Sequence, residues 1–250
     1  MISMSAPVGA WAKAKRAIRT RLIAPASRSF NSLQIGRAVR QLRLGATPDA
    51  GLLGRLRSAW GNGGFAADVE YLLKMAAEVE HSVGPVLECG TGVSTLIAAL
   101  LAARRGRDVW CLEQNPDWFG RMRRILIDYR IYNVRLLHAP LRSYGDDYAW
   151  YDVAPLQLPA SFDLAICDGP FIDRHWGAAF EQWRYGLLPV LQAAGVRLGK
   201  VLLDDANEPR AQAVFERWER EGRARVVEND GGAALALPRQ TLTPDFAPTK

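Results

Sequence analysis

Residues 86–95 read VLECGTGVST. An apolar run ends in an acid, two glycines flank one residue, and a helix-forming apolar stretch follows. That order marks a strand turning sharply into a helix, with glycines where the backbone must approach a ligand. A dinucleotide fingerprint would place a third glycine where Thr95 stands. Glu88, closing the strand, would also repel a pyrophosphate. Roughly twenty residues past the turn, Glu113 closes the next apolar run, VWCLE, where a carboxylate can bind two ribose hydroxyls. The site therefore wants a ribose and a cationic group and no phosphate. S-adenosylmethionine has these properties: an adenosine, a sulfonium and an ammonium.

Working outward, strands and helices alternate. Residues 65–80 read as a helix, 85–88 as a strand, 93–103 as a helix and 108–113 as a second strand. Asn115-Pro116-Asp117 caps a helix that runs through about Tyr129. Residues 133–138 form a third strand and Tyr144–Ser161 a loop rich in Asp, Tyr and Pro. A fourth strand over 162–167 ends in Asp168-Gly169-Pro170. A helix over 175–193, a fifth strand over 200–203 ending in Asp204-Asp205, and a helix from Pro209 follow. Residues 225–228 and 233–237 flank Asn229-Asp230-Gly231-Gly232 as a hairpin. Such alternation predicts an α/β fold with a mostly parallel sheet covered by helices on both faces. Ligands of such sheets bind beyond the carboxyl ends of the strands. Those ends carry Glu88, Glu113, Asp168 and Asp204-Asp205.

The net charge of +6 over 250 residues is unevenly placed. Residues 1–48 hold nine Lys and Arg and no acid, whereas residues 49–250 hold 23 basic and 26 acidic residues. Residues 10–24 have the spacing of a basic amphipathic helix, and Ile35, Val39 and Leu42 repeat it. This segment suits peripheral contact with an anionic membrane or with nucleic acid, packing on its own domain or on a second subunit as a homodimer, or a targeting peptide. No basic and aromatic pattern recurs later, which argues against a nucleic-acid partner. The longest apolar run, Leu96–Ala103, falls far short of the roughly 20 residues that span a membrane. Lys13, Lys15 and Arg16 interrupt any early signal-peptide core. Cys89, Cys111 and Cys167 lack zinc or disulfide spacing and read as small buried hydrophobes. Cytoplasmic residence is the expectation.

Over residues 60–238 the chain resembles the class I S-adenosylmethionine-dependent methyltransferases. ECGTG, VWCLEQN, FDLAICDGP and VLLDDAN stand in that family's order and spacing, and HAPL, WYD and RYGLLPVL are similar to a bacterial group of small-molecule-type methyltransferases. The resemblance implies a Rossmann-like, seven-stranded sheet ending in an antiparallel hairpin. It divides the chain into a helical extension (1–59), the cofactor-binding domain (60–238) and a tail (239–250). For the cofactor it implies Glu88, Cys89, Gly90 and Gly92, with Ser94 and Thr95 at the helix start. Glu113 would take the ribose, with Gln114 beside it and Ala139-Pro140-Leu141 near adenine. Asp168 would face the methionine amino group or the substrate, and a loop with Asn62 and Phe65 would close over the cofactor.

The expected reaction is methyl transfer to a small-molecule or glycan-type acceptor, at oxygen. A hydroxyl acceptor needs a base or a metal to take its proton. Asp168, Asp205 and His175 are the catalytic candidates, and Arg184 and Tyr185 the substrate-binding ones. Catechol-type members bind a divalent metal through an acid after the fourth strand and an Asp-Asn pair after the fifth. Here the order is Asp205-Ala206-Asn207. A metal on Asp168 and Asp205 is therefore not favoured. The alternatives are an NAD-dependent oxidoreductase, which Glu88 and Thr95 oppose, and a catalytically inactive cofactor-binding or membrane-docking protein.

Overall fold

The computed structural model describes residues 31–61, 66–172, 174–182 and 184–239. Its main sheet has seven strands: β1 (Val86–Cys89), β2 (Val109–Glu113), β3 (Val134–His138), β6 (Ser161–Cys167), β7 (Arg197–Asp204), β8 (Ala224–Asn229) and β9 (Ala233–Pro238). Their order is β3-β2-β1-β6-β7-β9-β8. The first five are parallel, and β9 runs antiparallel to both neighbours. Strand order reverses at β1: β2 and β3 build out one side, β6 and β7 the other. A ligand crevice is expected at that switch, beyond Cys89 and Cys167, which pair across β1 and β6.

Seven α-helices surround the sheet among the described residues: α1 (Ser32–Arg43), α2 (Ala50–Trp60), α3 (Val69–His81), α4 (Val93–Ala103), α5 (Pro116–Asp128), α6 (Leu187–Ala193) and α7 (Pro209–Arg220). Side chains alternate across each strand, so each face builds its own core. Val86, Leu164, Ile166 and Leu202 pack with α1–α5. Leu87, Cys89, Ala165, Cys167 and Leu203 pack with α6 and α7. Ile35, Val39, Leu42, Leu53, Leu56 and Trp60 belong to the first core, so α1 and α2 cover the sheet together with α3. The three cysteines are free and buried. Asn115 caps α5 by accepting from the amides of Asp117 and Trp118, both at 2.9 Å, with Pro116 in the first turn.

Two expectations are corrected. The stretch read as a loop from Tyr144 contains a hairpin, β4 (Leu141–Tyr144) with β5 (Tyr148–Tyr151). Gly145 turns it at φ 68°, and Tyr144 stacks on Tyr148 at 5.7 Å. Cross-strand aromatic pairing of this kind outweighs a turn-rich composition. The helix read over 175–193 is also absent as one element. Arg174–Phe180 is a 3₁₀ segment interrupted at Gly177 (φ 57°), and α-helix resumes only at Leu187. Between them the chain is held as a turn, because Gly186 lies against the Trp150 ring and Arg184 points under the strand ends.

Candidate active site at the carboxyl edge of the sheet

The glycine turn forms as its spacing demands. Gly90 has φ 90°, a conformation nearly reserved for glycine, and its amide donates to the Leu112 carbonyl at 3.0 Å. Glu88 lies beneath the turn, 3% exposed. Its carboxyl accepts from the Ser94 hydroxyl at 2.6 Å and the Cys111 thiol at 3.1 Å, with Thr95 bonded as well. Burial raises its pKa to about 7, against those hydrogen bonds. Thr95 is fully buried and its hydroxyl also accepts from the Gly92 amide at 3.0 Å. That amide, which would cradle a phosphate, is thus taken internally.

Glu113 is 6% exposed at the end of β2. One oxygen accepts from the Thr91 hydroxyl at 2.6 Å, the other from the Asn115 amide at 2.8 Å. Burial raises its pKa, and those bonds oppose the shift. The backbone amides of Thr91 and Gln114 add to these bonds, so donors from both flanking turns hold the carboxylate at the strand end. Thr91, unremarked in the sequence, joins the two strand ends: its carbonyl accepts from the Trp118 indole at 2.9 Å. Gln114 turns to the loop after β6, exchanging hydrogen bonds with the Phe171 amide and carbonyl at 2.9 and 2.8 Å. The Ala139 amide donates to the Glu113 carbonyl at 2.8 Å, so Ala139-Pro140-Leu141 starts beside the same strand end.

Asp168, Asp204 and Asp205 form the third group. Their carboxylate oxygens lie within 4.8 Å of one another. Arg184, fully buried, reaches between them: its Nη2 is 3.1 Å from Asp168 Oδ1, 3.3 Å from Asp205 Oδ2 and 2.8 Å from the Asp168 carbonyl, and Nη1 donates to the Asp204 carbonyl. Burial works against the guanidinium charge, but the carboxylates, Asp168 foremost, outweigh it and raise its pKa. Asp204 is 6% exposed, and burial followed by Asp168 and Asp205 raises its pKa to about 8. With Asp204 protonated, two carboxylates face one guanidinium and the cluster suits a cationic ligand. The substrate-binding expectation for Arg184 and Tyr185 is corrected accordingly. Arg184 supports the acids from below, and Tyr185 is 2% exposed, its hydroxyl on Glu221 at 2.5 Å under the Arg217 guanidinium.

The residue that sequence reasoning missed is Tyr151. Its ring is buried at 1% exposure, and its hydroxyl sits against the Gly169 and Gly90 α-carbons. No described residue accepts a hydrogen bond from it. Burial foremost, with the nearby carboxylates of Glu113 and Asp168 adding to it, raises its pKa, which keeps it a neutral O–H donor. The Tyr-rich stretch gave no sign of this, because the hairpin itself was not legible. His175 is exposed on the 3₁₀ segment. Asn62, Phe65 and the helix expected over 10–24 lie outside the described residues.

A divalent metal on Asp168 and Asp205 would have to displace the Arg184 guanidinium, which already supplies the positive charge. Asn207, the other family ligand position, is exposed past the turn. Arg184 thus stands among three acids that group as a cation's ligands would.

No family sequence model and no curated protein matches the chain. Solved structures do. A Podospora anserina methyltransferase with SAH bound matches 96% of this chain and 100% of its own, with a TM-score of 0.52 at 14% identity. A SAM-dependent methyltransferase from Aquifex aeolicus matches 77% of this chain and 99% of its own (TM-score 0.45, 16% identity). A precorrin-6y C5,15-methyltransferase from Geobacter metallireducens matches 72% and 96% (TM-score 0.44, 16% identity). The chain has the Rossmann-like fold of the class I S-adenosylmethionine-dependent methyltransferases, with β9 inserted antiparallel between β7 and β8.

Proposed function

We propose that this protein transfers a methyl group from S-adenosylmethionine to the oxygen of a small-molecule or glycan-type acceptor. The observation that carries the reading is Glu113: a carboxylate at the β2 end beside the glycine turn, fixed by Thr91 and Asn115, where the ribose hydroxyls would meet it. Gly90 and Gly92 would carry the backbone close to the nucleoside, with Glu88, Cys89, Ser94 and Thr95 holding the turn from below. Ala139-Pro140-Leu141 would border adenine. Asp168 would take the ammonium and the Tyr151 hydroxyl the carboxylate of the aminoacyl end.

The cofactor supplies an activated methyl group on a sulfonium. The chain's own contribution is alignment, worth up to roughly 7–11 kcal/mol when reactants are held in line, and removal of the acceptor's proton. Asp205, at the strained backbone angle φ 53°, with Asp168 grouped beside it, and His175 on the 3₁₀ segment are the bases assigned to that proton. Arg184 fills the cation's place among the acids, so the reaction is read as independent of metal.

Calorimetry with S-adenosylhomocysteine and with NAD tests the cofactor. Binding of the former alone is expected, because Thr95 occupies the amide a pyrophosphate would use. Tighter binding of NAD would reverse the reading. Transfer of label from methyl-labelled S-adenosylmethionine into extract metabolites, followed by mass spectrometry, then identifies the acceptor and the methylated atom.

A further inference from the structure

Helix α1 has two faces. Ile35, Ala38, Val39 and Leu42 are buried in the core. At 3.6 residues per turn, Leu33, Arg37, Arg40 and Leu44 form the opposite stripe, and they are exposed, the leucines at 66% and 75%. Arg37 and Arg40 have no carboxylate partner among the described residues.

α1 is bolted to the end of α5. The Tyr129 hydroxyl donates to the Ser32 carbonyl at 3.1 Å, and Arg43 donates to the Tyr129 and Arg130 carbonyls at 2.6 and 3.3 Å. Beside that junction Ile127 and Tyr132 are 56% and 74% exposed. Four of the seven exposed large hydrophobic side chains among the described residues therefore flank one junction. Residues 31–61 hold five arginines and one acid, Asp49, whose carboxylate is spent capping α2 on the Leu52 amide at 2.7 Å. The 30 residues before them hold six Lys and Arg and no acid.

We infer that α1 and the end of α5 dock on an anionic phospholipid surface. Arginines suit the headgroup charge, and aliphatic side chains between them enter the acyl boundary, with Tyr132 at headgroup level. Exposed leucines at both ends of the arginine stripe favour lipid over nucleic acid, whose phosphates draw on the cations and give aliphatic side chains no apolar phase to enter. Tyr132 precedes the amino end of β3, and the crevice lies at the carboxyl ends, so docking leaves the site open to a soluble acceptor.

Cosedimentation of the full chain with phosphatidylcholine vesicles, with and without phosphatidylglycerol, tests this. Binding only to the anionic vesicles, weakened by salt, is expected. R37Q/R40Q should lower the partition coefficient about thirtyfold, at about fivefold per arginine lost near an anionic surface. L33S/L44S should lower it at least about tenfold. Both variants should stay within a few degrees of the wild-type thermal midpoint, since these side chains are mostly exposed. Vesicle binding unchanged in both variants, or absent from the wild type, overturns the proposal. So does tighter binding to duplex RNA than to vesicles, lost in R37Q/R40Q, which would assign the surface to nucleic acid.

Discussion

The Tyr151 hydroxyl fills the space where a β-carbon on Gly169 would stand, which ties the β4–β5 hairpin to the loop that follows Asp168. A methyl group there would overlap the phenolic oxygen and come to 3.0 Å from both the Cys89 carbonyl and the Gly90 α-carbon. Gly169→Ala should therefore cost about 1–3 kcal/mol, the usual penalty of overpacking. Tyr151→Phe removes the oxygen and should restore part of that loss in the double variant. A double-mutant cycle by urea denaturation measures the coupling; strictly additive effects would show that the two residues do not share the space.

Tyr151→Phe alone separates ligand contact from packing. The hydroxyl bonds to no described residue, so its removal should leave the thermal midpoint near wild type. Loss of one hydrogen bond to a charged ligand group costs about 1.5–3 kcal/mol, so S-adenosylhomocysteine should bind about tenfold to a hundredfold more weakly. Equal affinity by calorimetry would remove Tyr151 from the ligand's surroundings.

Glu113→Ala should weaken S-adenosylhomocysteine by about a hundredfold or more, because two charge-assisted hydrogen bonds go together. Glu113→Gln keeps one good acceptor and should lose less. Since the carboxylate also accepts from Thr91 and Asn115, circular dichroism must show both variants folded before affinity is compared.

The parallel core was legible because its signals are local. Val86–Cys89 and Val109–Glu113 are short apolar runs ended by punctuation, and Asn115-Pro116 announces α5 by cap chemistry. The acids at the strand ends could be placed for the same reason. Tyr151 and Arg184 could not, because each owes its position to a distant partner. Tyr151 is carried in by a hairpin whose Asp and Gly look like loop, and seats on a glycine 18 positions later. Arg184 looks like a solvated helix residue until the carboxylates of Asp168 and Asp205 and the Asp204 carbonyl, at two strand ends, draw it inward. Pattern periodicity reports which side of an element is apolar; it does not report a buried charge whose compensation comes from elsewhere.

Arg184 as a built-in cation makes a prediction about metals. Arg184→Met leaves Asp168, Asp204 and Asp205 clustered without compensation, and should cost about 3–5 kcal/mol, as for other broken buried ion pairs. Magnesium or calcium should then raise the variant's thermal midpoint and leave the wild type unmoved. Comparable stabilisation of the wild type by these ions, reversed by chelator, would mean that the guanidinium gives way to metal. Wild-type methyl transfer should survive chelator treatment.

The buried acids also fix how stability varies with pH. Asp204 is raised from 3.8 to about 8 and Glu88 from 4.5 to about 7, burial being the chief cause for both. Between those values the folded chain holds protons that the unfolded chain has released, so stability falls as pH rises. Their contribution is complete below about 4 and is lost through 7 to 8. Glu221 acts oppositely. Although its partial burial raises its pKa, bonds from Tyr185, Arg217 and Arg223 prevail and lower it from 4.5 to about 2, so its contribution is present above 4.5 and is lost on acidification towards 2. The thermal midpoint should accordingly peak near pH 5 and decline towards pH 8. Asp204→Asn cannot ionise, yet its Oδ1 can still accept from the Asp205 amide, the 2.8 Å bond of the wild type. It should flatten the alkaline side of the profile and exceed the wild type in stability above pH 8. A parallel shift of the whole curve, with the slope between pH 5 and 8 unchanged, would assign that slope to other groups.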